Sequence, residues 1–130
     1  MSRRVSKHPT ELELEILRVL WQSGPLTGQA IRAALEPERL LTYQSVMTVL
    51  GIMEEKRYVT RKKSDGRYEY RARVSKSATA KRMMRDLVDR LFDGSAASAM
   101  INLLESSDLS DEELKELREE VNRPQNKGNR

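Results

Sequence analysis

The strongest constraint on the fold is a change of hydrophobic period near the middle of the chain. Tyr58–Lys63 and Tyr68–Arg73 both alternate between apolar or aromatic and polar residues, which is the two-residue period of a strand. Between them lies Asp65-Gly66, a pair that favours the two-residue turn of a β-hairpin. We therefore predict a two-stranded hairpin over residues 58–73. Its three tyrosine rings should cover the core while their hydroxyls reach solvent.

Three helical segments precede this hairpin. Each begins after a threonine whose side chain can accept a hydrogen bond from the free amides of the first turn, at Thr10, Thr27 and Thr42. The first threonine is followed three residues later by a glutamate, which completes a capping box. The first two segments stop at Gly24-Pro25 and Glu36-Pro37, because proline cannot continue a helix.

The third helix, TYQSVMTVLGIMEEK over residues 42–56, has two unlike faces. One is apolar at the i, i+3, i+4 and i+7 spacing and should pack inward. The residues of this apolar face are Val46, Val49, Leu50 and Met53. The opposite face carries Gln44, Thr48 and Gly51, which are short and neutral, unlike the Glu/Lys surface of an ordinary solvated helix. Such a face is either plain surface or shaped to contact a partner.

Helices followed by a hairpin predict a winged helix-turn-helix over residues 10–74, in a fold that is mainly α with a small β-hairpin. In this geometry the hairpin is the wing, and the N-terminal residues of the third helix enter the major groove of DNA. Residues 56–73 support a nucleic-acid partner because they carry eight Lys and Arg residues against Asp65 and Glu69. A solvated basic hairpin without a partner is the alternative interpretation of this charge.

The chemistry of the third helix suggests how it would read DNA. The Gln44 amide can pair with adenine, the Ser45 and Thr48 hydroxyls can bond to base edges, and Met47 can contact a thymine methyl. Tyr43, on the flank, can direct its hydroxyl to a phosphate or pack on the core. Ser45 as an ordinary surface hydroxyl and Thr48 as a packing residue are the alternatives.

Residues 75–122 are helical and form a second module. Broad apolar stripes run through a segment from Thr79 to Phe92, a helix capped by Ser95 and a helix with a capping box at Ser110. Three short helices without a sheet cannot easily bury such faces alone, so they pack on the winged helix or on a second chain. We favour a homodimer, because it doubles the basic footprint and reads a palindrome. The predicted interface residues are Met83, Met84, Leu87, Val88, Leu91, Met100, Ile101, Leu104, Leu114 and Leu117.

The composition argues against several other classes of protein. The 130 residues contain no Cys and a single histidine, His8, so there is no nucleophile–base pair and no metal-ligand cluster. We expect no enzyme activity, no cofactor and no metal. No apolar run reaches about 18 residues, so we expect a cytoplasmic protein without membrane insertion. Residues 1–9 and 123–130 are predicted to be a flexible N-terminus and a disordered tail.

Five blocks of the chain resemble the penicillinase, methicillin-resistance and copper repressor family (BlaI/MecI/CopY). They are ELEILRVLWQSGPLTGQAI, LTYQSVMTVLGIMEEKRYVTRK, GRYEYRARVS, LFDGSAASAMINLLE and LSDEELKELREEV. The resemblance covers roughly residues 10–122 and implies a homodimeric transcriptional repressor that binds an inverted-repeat operator. Carried onto this chain, base contacts fall on Gln44, Ser45, Met47 and Thr48. Phosphate contacts in the wing fall on Arg61, Lys62, Lys63 and Arg67.

The resemblance also implies a way to switch the repressor off. Several family members are cut within the dimerisation module after a membrane-bound sensor metalloprotease is triggered, and the matching bond here is Asn102-Leu103. The copper-responsive branch carries a Cys-x-Cys motif, so the absence of Cys excludes thiolate copper sensing here. Arg57 stands where many members have Gly, and a left-handed backbone there would cost about 1 kcal/mol of strain.

Two other functions stay open on the sequence. A winged helix can serve as a protein-interaction module whose basic wing meets an acidic partner. It can also belong to a regulator that responds to a small ligand without proteolysis. Binding that prefers an inverted repeat and weakens steeply with salt would favour the repressor over the interaction module.

Overall fold

The computed structural model describes residues 8–124 and confirms the predicted fold class, mainly α with a small wing. Three helices and the wing come first, and three further helices follow. In chain order the elements are α1 (Glu11–Ser23), β1 (Leu26–Thr27), α2 (Gly28–Leu35), α3 (Tyr43–Glu55), β2 (Val59–Ser64), β3 (Arg67–Ala72), α4 (Lys76–Leu91), α5 (Ala96–Ser106) and α6 (Asp111–Asn122).

The predicted capping residues occupy the helix starts. The Thr10 side chain accepts a hydrogen bond from the Glu13 amide at 3.2 Å, and the Glu13 carboxylate accepts one from the Thr10 amide at 2.9 Å. This reciprocal pair is the predicted capping box of α1. Ser110 and Glu113 form the same box at α6. The single-residue caps predicted for α2, α3 and α5 are also present.

The sheet contains one strand more than the predicted hairpin. β2 and β3 pair antiparallel around Asp65-Gly66, whose positive φ angles of 53° and 77° fit the turn that this pair favours. β1 lies on the other side of β3, with Leu26 opposite Tyr70 and Thr27 opposite Glu69, so the strand order is β1-β3-β2. Two residues are too few to show the period of a strand, which is why β1 gives no signal in the sequence.

The hydrophobic core lies where α1, α2 and α3 meet the sheet. Val46, Leu50 and Met53, all on the predicted inward face of α3, have almost no exposed surface. Val49, the fourth residue of that face, is partly buried against the core. The apolar period of α3 therefore predicts correctly which side of this helix packs inward.

The wing tyrosines divide between core and surface. Tyr58 and Tyr70 are buried, whereas Tyr68 is 43% exposed. The prediction that all three rings cover the core is therefore wrong for Tyr68. Its place in the sheet explains the difference, because β1 pairs with β3 only as far as Glu69 and leaves the tip of the hairpin without a third strand.

The chain that follows the wing is fastened to α1. The Trp21 indole N–H donates a hydrogen bond to the Val74 carbonyl at 2.9 Å. On α4, Thr79 is buried, and its hydroxyl donates to the Ser75 carbonyl at 2.8 Å. The first compact unit of the chain extends to Arg85, inside α4, beyond the position 74 predicted as the end of the DNA-binding domain.

The second compact unit begins at Asp86 and contains the end of α4 with α5 and α6. Asp93 and Gly94 have positive φ angles of 50° and 82°, and they end α4 before Ser95 caps α5. Ala99 is buried in this unit, while the larger apolar side chains of α5 stay about half exposed. This unit has no sheet in its described part.

Most of the predicted flexible N-terminus and disordered tail lies outside residues 8–124. Of the first segment, His8 and Pro9 are described, and Pro9 is buried beside a small cavity that Tyr58 and Thr79 also line. Of the second, Arg123 follows α6 as its C-cap residue.

Candidate nucleic-acid interface

The first turn of α3 is held by its cap. The Thr42 oxygen accepts a hydrogen bond from the Ser45 amide at 3.0 Å, and the Thr42 hydroxyl donates to the Ser45 Oγ at 2.9 Å. The cap thus fixes the start of the helix whose first residues are predicted to meet DNA.

Three of the four predicted base-contacting residues lie on one open face of α3. Gln44, Ser45 and Thr48 are exposed. Met47 is partly buried and packs beside α2: a Cβ added to Gly28 would stand 2.7 Å from the Met47 sulfur. The two helices therefore approach each other closely at a residue without a side chain. Met47 lies at the border of the open face and not at its centre.

Gly51 extends this open face along α3. It is exposed, and a Cβ added there would meet no other atom within 4 Å. The fold itself thus does not require a glycine, although glycine in a helix interior costs about 1 kcal/mol relative to alanine. Ile52 beside it is 38% exposed. The missing side chain leaves a shallow gap where another molecule can approach the helix backbone.

The C-terminal end of α3 is tied to α1 by an ion pair. The Lys56 Nζ lies 2.9 Å and 3.1 Å from the two carboxylate oxygens of Glu13, whose side chain is only 4% exposed. Arg57 follows with φ 68°, so the left-handed backbone considered for this position is present. The sequence assigns Glu13 only to the cap, because no local pattern connects two residues 43 positions apart.

The basic residues of the wing are divided between its two faces. Side chains alternate along a strand, so Arg61 and Lys63 share the face of Tyr68, while Lys62 and Arg67 belong to the opposite face. All four predicted phosphate-contacting residues of the wing are exposed. Because they lie on two opposite faces, they do not form one continuous basic patch.

Arg61 has three partners within the protein. Its Nε lies 3.3 Å from the Glu54 carboxylate on α3, and its guanidinium lies 4.3 Å from the centroid of the Tyr68 ring. A hydrogen bond with the Tyr70 side chain, followed by the attraction of Glu54, raises the pKa of Arg61 above its usual value. Lys63 is less engaged, with its Nζ 5.9 Å from the same ring centroid.

A crevice of about 500 Å³ separates the wing from the start of α2 and α3. Tyr43 and Arg67, both predicted to contact phosphate, line it together with Gly28 and Met47. Tyr43 is 44% exposed. The lining of this crevice thus includes a phenol from α3 and a guanidinium from the wing.

Comparison with known proteins agrees with this architecture. The family model described as penicillinase repressor matches residues 9–123. The chain belongs to the penicillinase repressor family. Methicillin resistance regulatory protein MecI of Mammaliicoccus sciuri is 22% identical over 111 residues, which cover 85% of this chain and 90% of that protein. The penicillinase repressor of Bacillus licheniformis is 22% identical over 108 residues, covering 83% and 84% of the two chains.

The penicillinase repressor family consists of DNA-binding transcriptional repressors and not of enzymes, which agrees with the sequence prediction. In the described part of this member, no three His, Cys, Asp or Glu side chains come together in a group that could hold a metal ion. Among residues 8–124, no helix has both the length and the apolar character that crossing a membrane requires.

In this member of the penicillinase repressor family, the second unit exposes most of the residues predicted to form the dimer interface. Met83, Val88 and Leu114 are partly buried. The remaining predicted residues are between 42% and 68% exposed: Met84, Leu87, Leu91, Met100, Ile101, Leu104 and Leu117. Several of them line an apolar groove of about 550 Å³ formed by α5 and α6. Neither helix covers the apolar face of the other completely.

The predicted cleavage bond lies inside α5. Asn102 and Leu103 are both exposed, and Leu103 lines the apolar groove. The Asn102 carbonyl also accepts a hydrogen bond from the Ser106 hydroxyl at 2.8 Å. The bond is thus held in regular helix and stabilised by an additional side-chain hydrogen bond.

Proposed function

We propose that this protein is a homodimeric transcriptional repressor that binds an inverted-repeat operator and blocks transcription. The observation that carries the proposal is the open face of α3, where Gln44, Ser45 and Thr48 stand together opposite a buried apolar side. A helix with this pattern is held firmly by the core and is free to enter a major groove. Membership of a repressor family supports the same function.

Base recognition would come from the start of α3. The Gln44 amide can form two hydrogen bonds with adenine, and the Ser45 and Thr48 hydroxyls can donate to or accept from base edges. Met47 would reach a thymine methyl only from the border of the face, because it also packs beside Gly28. We therefore expect Gln44 to contribute most to sequence preference.

Affinity would come from phosphate contacts around this helix. Lys62, Lys63 and Arg67 in the wing are exposed, and Tyr43 lines the same crevice as Arg67. A dimer that makes about 6 to 10 phosphate contacts loses roughly 10³ to 10⁵ in affinity between 50 and 200 mM salt, because counterions are released on binding. Arg61, predicted to be a further contact, already pairs with Glu54 and lies against the Tyr68 ring.

Dimerisation would use the second unit. Its helices leave large apolar side chains about half exposed, and such surfaces are typical of protein interfaces. Joining two winged helices lets one protein bind both half-sites, and the second binding event then gains on the order of 10² to 10⁴ in effective affinity. The family model covers residues 9–123, which include the helices of this unit.

Release of the operator would follow from cleavage at Asn102-Leu103 by a membrane-bound sensor metalloprotease. A cut there separates Leu103, Leu104 and α6 from the rest of the apolar face, so the dimer would lose most of its groove. Because the bond lies in regular helix, α5 must first unwind locally. Intact-mass measurement of the chain from cells that contain the protease should find a fragment ending at Asn102. A chain that stays intact while repression is relieved would contradict this route.

The central test is selection of binding sites from a random DNA pool with the full chain. We expect an enriched inverted repeat whose affinity falls steeply between 50 and 200 mM salt. Gln44→Ala should weaken binding by about 1–3 kcal/mol per half-site and relax the preference at one base position. No enriched sequence at any salt concentration would reject the proposal and favour a protein-interaction module.

A further inference from the structure

Arg61 differs from the other wing cations in having partners on both the wing and the recognition helix. Its guanidinium lies 4.3 Å from the centroid of the Tyr68 ring, and its Nε lies 3.3 Å from the Glu54 carboxylate in the last turn of α3. We infer that Arg61 is a positioning residue that fixes the wing relative to α3, and that it is not a phosphate ligand. The inference rests on the proposed operator binding.

Because of where Arg61 lies in the sheet, its ion pair with Glu54 can restrain the projecting part of the wing. Arg61 pairs with Tyr70, which is also the residue that faces Leu26 of β1. β1 ends at Thr27, opposite Glu69, so residues 63–68 project as a two-stranded hairpin with exposed side chains. Two-stranded hairpins are only marginally stable alone. The bond between Arg61 and Glu54 lies at the base of this projection and links it to α3.

Fixing the wing matters because DNA must meet α3 and the wing at the same time. A hairpin that samples several directions is ready for binding only part of the time, and the apparent affinity falls by that fraction. A planar guanidinium suits this task, since it can stack on Tyr68 and keep its N–H groups in the guanidinium plane for Glu54. Lysine has the charge but cannot make this combination of contacts.

Substitution of Glu54 separates two explanations, because they predict opposite changes in DNA affinity. By charge alone, replacing an acidic residue beside the DNA-binding surface with a neutral one should tighten DNA binding. If Glu54 holds Arg61 and thereby the wing, Glu54→Gln should instead weaken it. Arg61→Lys, which keeps the positive charge, should weaken binding as well.

The experiment measures operator affinity from 50 to 200 mM salt for Glu54→Gln, Arg61→Lys, their double variant and the control Lys62→Gln. Lys62 is the neighbouring exposed cation on the opposite wing face. We expect Glu54→Gln and Arg61→Lys each to weaken binding about three- to tenfold with an unchanged salt slope. The double variant should be no weaker than the singles, because both substitutions disrupt the same arrangement of Arg61 between Glu54 and Tyr68. Lys62→Gln should lower the salt slope by about 0.9 for each phosphate that Lys62 neutralises.

Hydrogen exchange without DNA tests the same ion pair independently. Amides of residues 59–72 should exchange faster in Glu54→Gln and Arg61→Lys than in Lys62→Gln, while core amides of α3 stay protected. Tighter operator binding by Glu54→Gln, or unchanged wing exchange in both variants, would overturn the positioning role. If the wild-type chain prefers no operator, the proposed function fails, and the exchange data alone then decide whether Arg61 holds the wing.

Discussion

The two units of this chain solve the problem of burying apolar side chains differently. In the first, Ile16, Leu17, Ile31 and Leu50 have no exposed surface, because three helices and a sheet enclose them. In the second, Ala99 is the buried apolar residue among the described ones, and leucines such as Leu104 stay about half exposed. One unit completes its core within a single chain, and the other leaves an apolar face to be covered.

This difference matches the division of labour in the proposed repressor. A protein that reads DNA needs a recognition helix whose position does not vary, and the enclosed core under α3 provides it. A dimerisation unit needs an apolar face that a second copy can cover. The proposed functional surfaces of the two units are therefore of opposite kind: short polar side chains on α3, and apolar side chains on α4, α5 and α6.

The largest expected effect separates the two cores directly. Leu50→Ala should lower the free energy of unfolding by about 2–5 kcal/mol, because its cavity opens in an enclosed core. In dilute protein, Leu104→Ala should lower the free energy of unfolding much less. This loss should grow as the protein concentration rises and dimers form. Urea denaturation at two protein concentrations measures both. Equal costs that do not depend on concentration would mean that the second unit has a complete core of its own.

The next largest effect concerns the ion pair that joins the end of α3 to α1. Lys56→Met should destabilise the first unit by about 2–3 kcal/mol, because it leaves the buried Glu13 carboxylate without its counter-ion. Arg39→Met removes a pair with Glu15 that is about one-third exposed, and it should have a smaller effect. Dimerisation, measured by sedimentation, should be unchanged in both variants. An equal loss of stability in the two variants would show that burial does not make the Lys56–Glu13 pair more important for stability than the Arg39–Glu15 pair.

The parts of this structure that the sequence predicts are those set by neighbouring residues. Thr10 with Glu13, Ser110 with Glu113 and the Asp65-Gly66 turn all form as expected, because caps and turns depend on residues within a few positions. The inward face of α3 follows from its period in the same way. Local signals thus account for the fold class and for the open face of the recognition helix.

The features that the sequence does not predict depend on distant residues. Lys56 meets Glu13 across 43 positions, and β1 pairs with a strand more than 40 residues away. The role of Arg61 is also hidden, because a wing cation looks the same in sequence whether it faces a phosphate or Glu54. Charge counts locate the wing but cannot say which of its cations already have partners.

A smaller effect tests whether the open face of α3 is shaped for approach rather than for stability. Gly51→Ala should stabilise the first unit by up to about 1 kcal/mol, since alanine favours helix and its Cβ meets no atom within 4 Å. The same variant should bind the operator more weakly if DNA occupies the gap. Thermal unfolding and operator titration of one preparation measure both. Unchanged or tighter binding would show that the gap is not part of the interface.

The smallest effect is a dependence on alkaline pH that belongs to the first unit alone, because residues 86–130 contain no tyrosine. Burial raises the pKa of Tyr58 above its usual value of about 10, against an opposing effect of the Lys56 charge. The unfolded chain therefore loses this proton at lower pH than the folded protein does. The stabilisation that results is complete below about pH 10 and is lost as the pH rises towards the raised pKa. Tyr58→Phe should reduce the alkaline loss of stability, whereas Tyr68→Phe, with its exposed ring, should follow the wild type. If the stability of the two variants depends on pH in the same way from about pH 9 to 11, the ionisation of Tyr58 is not coupled to folding. Alkaline titration then does not distinguish the two units.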